Sequence, residues 1–231
     1  MTLVRSWNVF HGNSLPPSRQ SHLREMIELA TEDAPNVLLL QEIPVWALPH
    51  LEPWSGMRAH SLVARGPRLP VHTATWLTRR HNGLFRSRLA GQAIAILIAR
   101  DAESDDLGGL QVSDPGRERR VVQAVRVAGL GVVANTHLTQ TSAPLEVRRA
   151  ELERVAGFVE RLARPGEPRI VGGDLNIVRP ELAGYEGAGE GIDHVLVAGV
   201  GAEPLLVWPQ SRRVQNGVVL SDHAPVEREV G

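Results

Sequence analysis

Residues 170–177 read IVGGDLNI: two apolar β-branched residues, two glycines, then an Asp-x-Asn pair and a closing isoleucine. The apolar lead from Pro168 to Val171 predicts a short buried strand. A buried strand gains nothing by stopping on a carboxylate and an amide two residues apart. Gly-Gly-Asp is also ordinary turn punctuation, and in isolation Asp174 and Asn176 read as a turn. The decision rests on whether other apolar strands finish in the same way.

They do. VRSWNVFHG ends its strand near Asn8, NVLLLQE ends on Glu42, and GVVANTHL ends on His137. GIDHVLV opens with Asp193 and His194, and LSDHAPV sets Asp222 and His223 just ahead of the last strand. If these tips share one edge of packed sheets, they enclose four carboxylates and two or three imidazoles. Oxygen donors without a thiolate suit a hard cation, Mg²⁺ or Mn²⁺.

The chain of 231 residues is long enough for one sizeable core, and residues 1–231 are expected to form a single domain. A net charge of −1 gives no strong global attraction to nucleic acid or an anionic membrane. All 25 basic residues are arginine, a bias more in keeping with a coding preference than with function. The absence of cysteine excludes disulfides, thiolate metal sites and cysteine nucleophiles. No apolar stretch reaches the ~20 residues that span a bilayer. MTLVRSWNVF lacks a signal-peptide core, so a cytoplasmic location is expected.

Two segments have helical spacing. Residues 17–33 place Leu23, Met26, Ile27 and Ala30 on one face with Ser18 or Ser21 as cap. Residues 144–164 place Leu145, Leu152, Val155, Val159 and Leu162 together, and RPGEP stops them. Strands are expected at 4–10, 36–41, 60–65, 73–79, 92–100, 120–127, 130–136, 169–171, 192–197, 203–208 and 224–230, with 100–120 an exposed hairpin or loop. Strands in runs with few helices predict an α+β layered sandwich.

The ordered set Asn8, LLLQE with Glu42, NTHL with His137, GGDLN, IDHV and SDHAPV resembles the endonuclease/exonuclease/phosphatase superfamily, whose fold is that of pancreatic-type deoxyribonuclease. The resemblance runs from residue 4 to 227. It implies a four-layer α/β sandwich, two packed mixed β-sheets flanked by helices, with metal-dependent cleavage of phosphate esters at one edge.

On that resemblance, Glu42 is the principal metal ligand, helped by Asp222 and the amide of Asn8, and the metal is Mg²⁺ or Mn²⁺. Asp174 and Asn176 hold the attacking water or a phosphate oxygen. His223 serves as base or as a charged phosphate-binding group, with Asp193 on its far nitrogen. His137 protonates the leaving group, although the sequence leaves open which histidine is acid and which is base. Arg117 or Arg120 contacts a substrate phosphate, and Gln92 backs His137. His194 reads as structural, the other histidines (11, 22, 50, 60, 72 and 81) as surface or core residues, and Trp208 as the tryptophan best placed to touch substrate.

The substrate is expected to be a phosphodiester in DNA or RNA, with a small-molecule or lipid phosphoester as the alternative. His137 stands where abasic-site enzymes of this fold carry a tyrosine, and the sole tyrosine is Tyr185, which disfavours that repair role. Neutral overall charge disfavours tight unaided binding to duplex DNA, unless the basic run at 78–88 supplies a local patch. The sequence does not indicate an oligomeric state.

Overall fold

The computed structural model describes residues 1–80, 82, 89–187 and 189–231. One sheet has six strands in the order β11 (Leu206–Val207), β14 (Val226–Val230), β1 (Thr2–Asn8), β3 (Val37–Ile43), β5 (Gln92–Ile98) and β4 (Arg58–Arg65). A second has five: β10 (Asp193–Ala198), β9 (Arg169–Asp174), β8 (Gly131–His137), β7 (Val121–Val127) and β6 (Ser104–Gln111). Both are mixed, with β1–β3 and β8–β9 parallel and the remaining neighbours antiparallel.

Strands buried on both faces need continuous apolar sequence, and VLLLQEI and QAIAILI supply it. Alternation then divides each strand between two cores. Leu39 and Ile96 point inward with Val4 and meet Val133, Ile170 and Val195 of the facing sheet. Leu38, Leu40 and Trp7 point outward onto Leu23, Met26 and Ile27 of α1 (Leu23–Thr31) and Leu51 of α2 (Leu51–Ser55). Behind the second sheet, Val132, Ala134 and Val171 meet Leu152, Val155 and Val159 of α4 (Leu145–Leu162). The result is the helix–sheet–sheet–helix sandwich expected.

Several local expectations are corrected. Residues 73–79 lie in a helix, α3 (Val71–Arg80), because the Pro70 carbonyl accepts from the N–H groups of Thr73 and Ala74, at 2.9 and 3.0 Å, and starts the turn. The β-branched threonines are only a weak bias against that. The strand expected at 203–208 shrinks to β11, which Pro204 and Pro209 confine by removing backbone donors. Of the hairpin or loop expected at 100–120, the hairpin is found: residues 104–111 are edge strand β6, largely exposed and paired antiparallel with β7. α1 begins at Leu23 instead of Pro17 and has no side-chain cap: Ser18 Oγ bonds the Gln20 carbonyl, and Ser21 Oγ lies 3.5 Å from the Leu23 N–H. Three short strands missed in the sequence, β2 (Ser14–Leu15), β12 (Val214–Gln215) and β13 (Val218–Leu220), make a small third sheet. In the basic run at 78–88, residues 81 and 83–88 lie outside the described residues. Among the described residues no helix is long and apolar enough to cross a membrane.

Candidate active site

Strand direction gathers the polar tips. β1 and β3 run parallel and finish at Asn8 and Glu42; the antiparallel β5 starts beside them at Gln92, and β4 ends there at Arg65. In the facing sheet, β8 and β9 finish at His137 and Asp174, while β10 starts at Asp193 and β7 follows Arg120. His137, Asp174 and Asp193 are register partners in adjacent strands. One rim of the sandwich therefore carries all of them, around a cleft of about 650 Å³.

Asp174 is at the centre. Its Oδ2 accepts from Asn8 Nδ2 at 3.0 Å and lies 3.4 Å from His137 Nε2 and 3.8 Å from His223 Nε2. Its Oδ1 accepts the Asn176 N–H at 3.0 Å. Burial, joined by the neighbouring Asp193 charge, raises the Asp174 carboxyl to about 7, against the opposing pull of His223. Asp193 Oδ2 sits 2.8 Å from His223 Nδ1. Burial alone would lower His223, but the hydrogen bond and charge of Asp193, with Asp174 and Asp222, carry it up to about 9. His137 is the opposite case: burial, then Arg120, His223 and His11, hold it well below the ordinary imidazole range. The surroundings thus favour the neutral form of His137 and the charged form of His223, and both rings face the same Asp174 oxygen.

The local chain explains why the groups stay put. Gly173 has φ of +133°, and a Cβ there would lie 1.9 Å from the Thr136 carbonyl oxygen, so this strand end admits only glycine. Asp174 closes the strand and also caps the bend that follows through its bond to the Asn176 N–H, so the turn and the site share one carboxylate. The SDH segment is held from below. Arg213, itself buried, donates to the carbonyls of Leu220, Ser221 and His223, and Trp7 Nε1 donates to the His223 carbonyl at 3.0 Å. Ser221 Oγ donates to the Asn8 carbonyl at 2.7 Å and accepts the His223 N–H at 3.1 Å. After His137, Thr139 is gripped by the fully buried Glu151 of α4 through both its N–H and hydroxyl. Between the sheets, Gln41 donates to Asn135, which donates to the carbonyls of Leu40 and Ala95.

Most residues expected from the sequence meet here. His137, Asp174, Asn176, His223, Glu42, Asp222, Arg117 and Arg120 line the cleft, with Asp193 beneath His223 and Asn8 beneath Asp174. Asn8 is engaged through both ends of its amide, since its Oδ1 accepts the Phe10 N–H at 3.0 Å. Gln92 Nε2 is 3.2 Å from His137 Nδ1, the backing contact expected. His194 is fully buried; it accepts the Gly189 N–H on Nδ1, and its Nε2 meets the Ile177 carbonyl at 2.9 Å, a structural role.

Trp208 is a correction. It is buried away from the cleft, donates from Nε1 to Glu227, packs near Trp7 and lies under the guanidinium of Arg212 at 3.4 Å. Closeness in sequence to SDHAPV did not fix the direction of its side chain. His11 is the residue missed: it is buried on the cleft wall with Nε2 3.4 Å from Glu42 Oε2. Arg65 at the end of β4 and Arg68 just beyond it also line the cleft without having been singled out.

The donor set fits a divalent cation. Asp193 Oδ1 is buried with no hydrogen-bond partner, and ligand atoms of Asp174, Asp193 and His223 lie within 4.8 Å of one another. With Glu42 and Asp222 on the same wall, this is a carboxylate-rich site in need of positive charge. The most compact grouping differs from the Glu42, Asp222 and Asn8 set expected from the resemblance, although all six residues share the rim.

Comparison with known proteins agrees with this geometry. A conserved protein of unknown function from Enterococcus faecalis V583 has the same fold (TM-score 0.74, 15% identity), covering 100% of this chain and 99% of that one. TDP2 from Caenorhabditis elegans follows at TM-score 0.66 and 17% identity over 98% of this chain and 74% of that one. The Bacteroides thetaiotaomicron VPI-5482 mannosyl-6-phosphatase Bt3783 matches at TM-score 0.64 and 14% identity, covering 100% of both chains. No curated protein matches the chain in sequence. The sequence model of the endonuclease/exonuclease/phosphatase family matches residues 6–223, nearly the whole length, and with strand tips and cleft in agreement the chain belongs to that family.

Proposed function

We propose that residues 1–231 form one catalytic domain, a Mg²⁺- or Mn²⁺-dependent phosphodiesterase that hydrolyses DNA or RNA. The observation that carries this reading is the pair of imidazoles within 4 Å of the same Asp174 oxygen, with surroundings that push their titration in opposite directions. Hydrolysis of a phosphodiester needs one group to take the proton of the attacking water and another to give a proton to the departing oxygen. His137 and His223 supply both, His223 being the ring whose surroundings favour the proton. Asp193 fixes the His223 ring and stabilises its charged form, as the carboxylate of a hydrolase triad does for its histidine. Asp174 and Asn176 orient the water or a phosphate oxygen, and Arg117 and Arg120 contact a phosphate of the substrate. Glu42, Asp222 and the Asp174–Asp193 pair would hold the cation, which neutralises charge on the phosphate when bound.

A small-molecule phosphoester is the second reading, favoured by the end-to-end overlap with the mannosyl-6-phosphatase and by the near-neutral overall charge. Nicking of supercoiled plasmid in Mg²⁺ at low salt separates the two. The nuclease reading predicts nicking that disappears with EDTA and in Asp174→Ala. Absence of nicking, with bis-p-nitrophenyl phosphate still hydrolysed, would reject the nuclease and leave the small ester.

A further inference from the structure

The strand order divides the rim into two halves of opposite charge. β14, β1 and β3, stacked on β10, β9 and β8, carry the carboxylates and imidazoles. β5 and β4, stacked on β7 and β8, carry Gln92, Arg65 and Arg68 on one side and Arg117 and Arg120 on the other. One scissile phosphate has only two non-bridging oxygens, and the acidic half with its cation and His223 already addresses them. The arginine half is more than that phosphate requires.

Within this half, Glu118 is gripped from two sides. Arg120 Nη2 is 3.2 Å from Glu118 Oε2, and Arg65 Nη1 is 3.9 Å from Glu118 Oε1. Arg120 is 4% exposed, and its Nε is buried without a hydrogen-bond partner. A buried guanidinium with an unmet donor calls for an anion. The surrounding wall is fixed. A Cβ on Gly91 would lie 2.7 Å from the Arg65 carbonyl oxygen and 2.8 Å from Pro67 N, so the loop after β4 sits directly on it. Arg119 donates to the carbonyls of Val63 and Ala64 and ties the 118–120 segment to β4.

We propose that Arg65, Arg68 and Arg120 form a seat for a second phosphate of the substrate, beside the scissile one, and that Glu118 is an internal anion which that phosphate displaces. The inference rests on the phosphoesterase reading above and narrows it to substrates with two neighbouring phosphates, as in a polynucleotide. The planar carboxylate takes a hydrogen bond from Arg120 on one oxygen and faces Arg65 with the other, and a phosphate offers the same forks a third oxygen and more charge.

The test compares thymidine 5′-(p-nitrophenyl phosphate) with its 3′-phosphorylated derivative, which share a leaving group. The seat predicts kcat/KM about tenfold higher for the 3′-phosphorylated ester, expressed in KM. Arg65→Gln brings the ratio of the two esters close to one, whereas Glu118→Gln raises it, because the competing carboxylate charge is gone. A wild-type ratio near one, or a ratio unmoved by Arg65→Gln, overturns the seat. Calorimetric binding of thymidine 3′,5′-bisphosphate against thymidine 5′-monophosphate reads the seat without turnover. Tighter binding of the bisphosphate with no hydrolysis of either ester would keep the seat and overturn the hydrolase reading. Equal binding with hydrolysis intact would do the reverse. A preference for fructose 1,6-bisphosphate over fructose 6-phosphate, with none among the thymidine compounds, would place the second phosphate in a small bisphosphate and overturn the polynucleotide assignment.

Discussion

Asp193→Asn isolates the contact that sets the charge of the site. The substitution keeps the shape at position 193 and removes the carboxylate 2.8 Å from His223 Nδ1. The rise of His223 from 6.5 to about 9 corresponds to roughly 3 kcal/mol in favour of the imidazolium. Burial opposes that rise and persists in the variant, while Asp174 and Asp222 still favour the charged ring, so His223 should titrate well below its wild-type value once Asp193 is neutral. The amide also presents an N–H to Nδ1 in one of its two orientations and disfavours the required tautomer. Both effects act on the proton that catalysis moves, and a loss of ~10²–10⁴ in kcat/KM follows, as for the orienting carboxylate of a triad. The assays are bis-p-nitrophenyl phosphate hydrolysis in Mg²⁺ across pH 5–10, and NMR titration of His223 in metal-free protein. Thermal unfolding serves as the check on folding. A loss under tenfold in a folded variant, or a His223 titration unchanged from wild type, would refute the reasoning.

Three further outcomes follow from other parts of the molecule. Gly173→Ala forces a Cβ to within 1.9 Å of the Thr136 carbonyl at a φ of +133°; it should cost ~3 kcal/mol or more in urea unfolding and displace Asp174, with activity falling in parallel. Arg5→Met removes the fully buried guanidinium that bonds Asp33, Glu227 and the Ala30 carbonyl beside Trp208; leaving Glu227 with only Trp208 Nε1 and the more distant Arg212 should cost ~3 kcal/mol of stability, read by denaturant, while KM stays near wild type. For pH, the folded values of Asp174 and His223 both lie above their unfolded ones. The stability Asp174 contributes is full below 3.8 and lost as pH rises through about 7; that of His223 is full below 6.5 and lost through about 9. A divalent cation competes with those protons, so the rise in Tm on adding Mg²⁺ should grow from pH 6 to pH 8, and a flat or shrinking gain would contradict it.

Much of the site was legible because it is built on strand ends, where an apolar run and a following polar residue are adjacent in sequence. Glu42, His137, Asp174 and Asp193 are of this kind, and the alternation that places Leu39 inward and Leu38 and Leu40 outward is equally visible. His11 was not legible. Its ring reaches Glu42 only because Phe10 and His11 adopt positive φ of 47° and 53°, a left-handed turn that the letters WNVFHG do not announce. Arg213 positions His223 through backbone carbonyls and Ser221 through the His223 N–H, contacts that leave no pattern in side-chain spacing. Arg65 and Arg68 come to the cleft by the antiparallel return of β4 beside β5, a pairing set by tertiary packing. Trp208 misled for the converse reason, since its neighbours in the chain reach the rim while its indole turns into the Arg5–Glu227 cluster.

The most direct test of the central claim is hydrolysis of bis-p-nitrophenyl phosphate by EDTA-treated protein, before and after Mg²⁺ is restored, with Asp174→Asn run alongside. The account predicts turnover that returns with Mg²⁺ in the wild type and stays at least ~10²-fold lower in the variant, whose folding is verified by its Tm. Turnover independent of Mg²⁺, or a folded Asp174→Asn as active as the wild type, would contradict it.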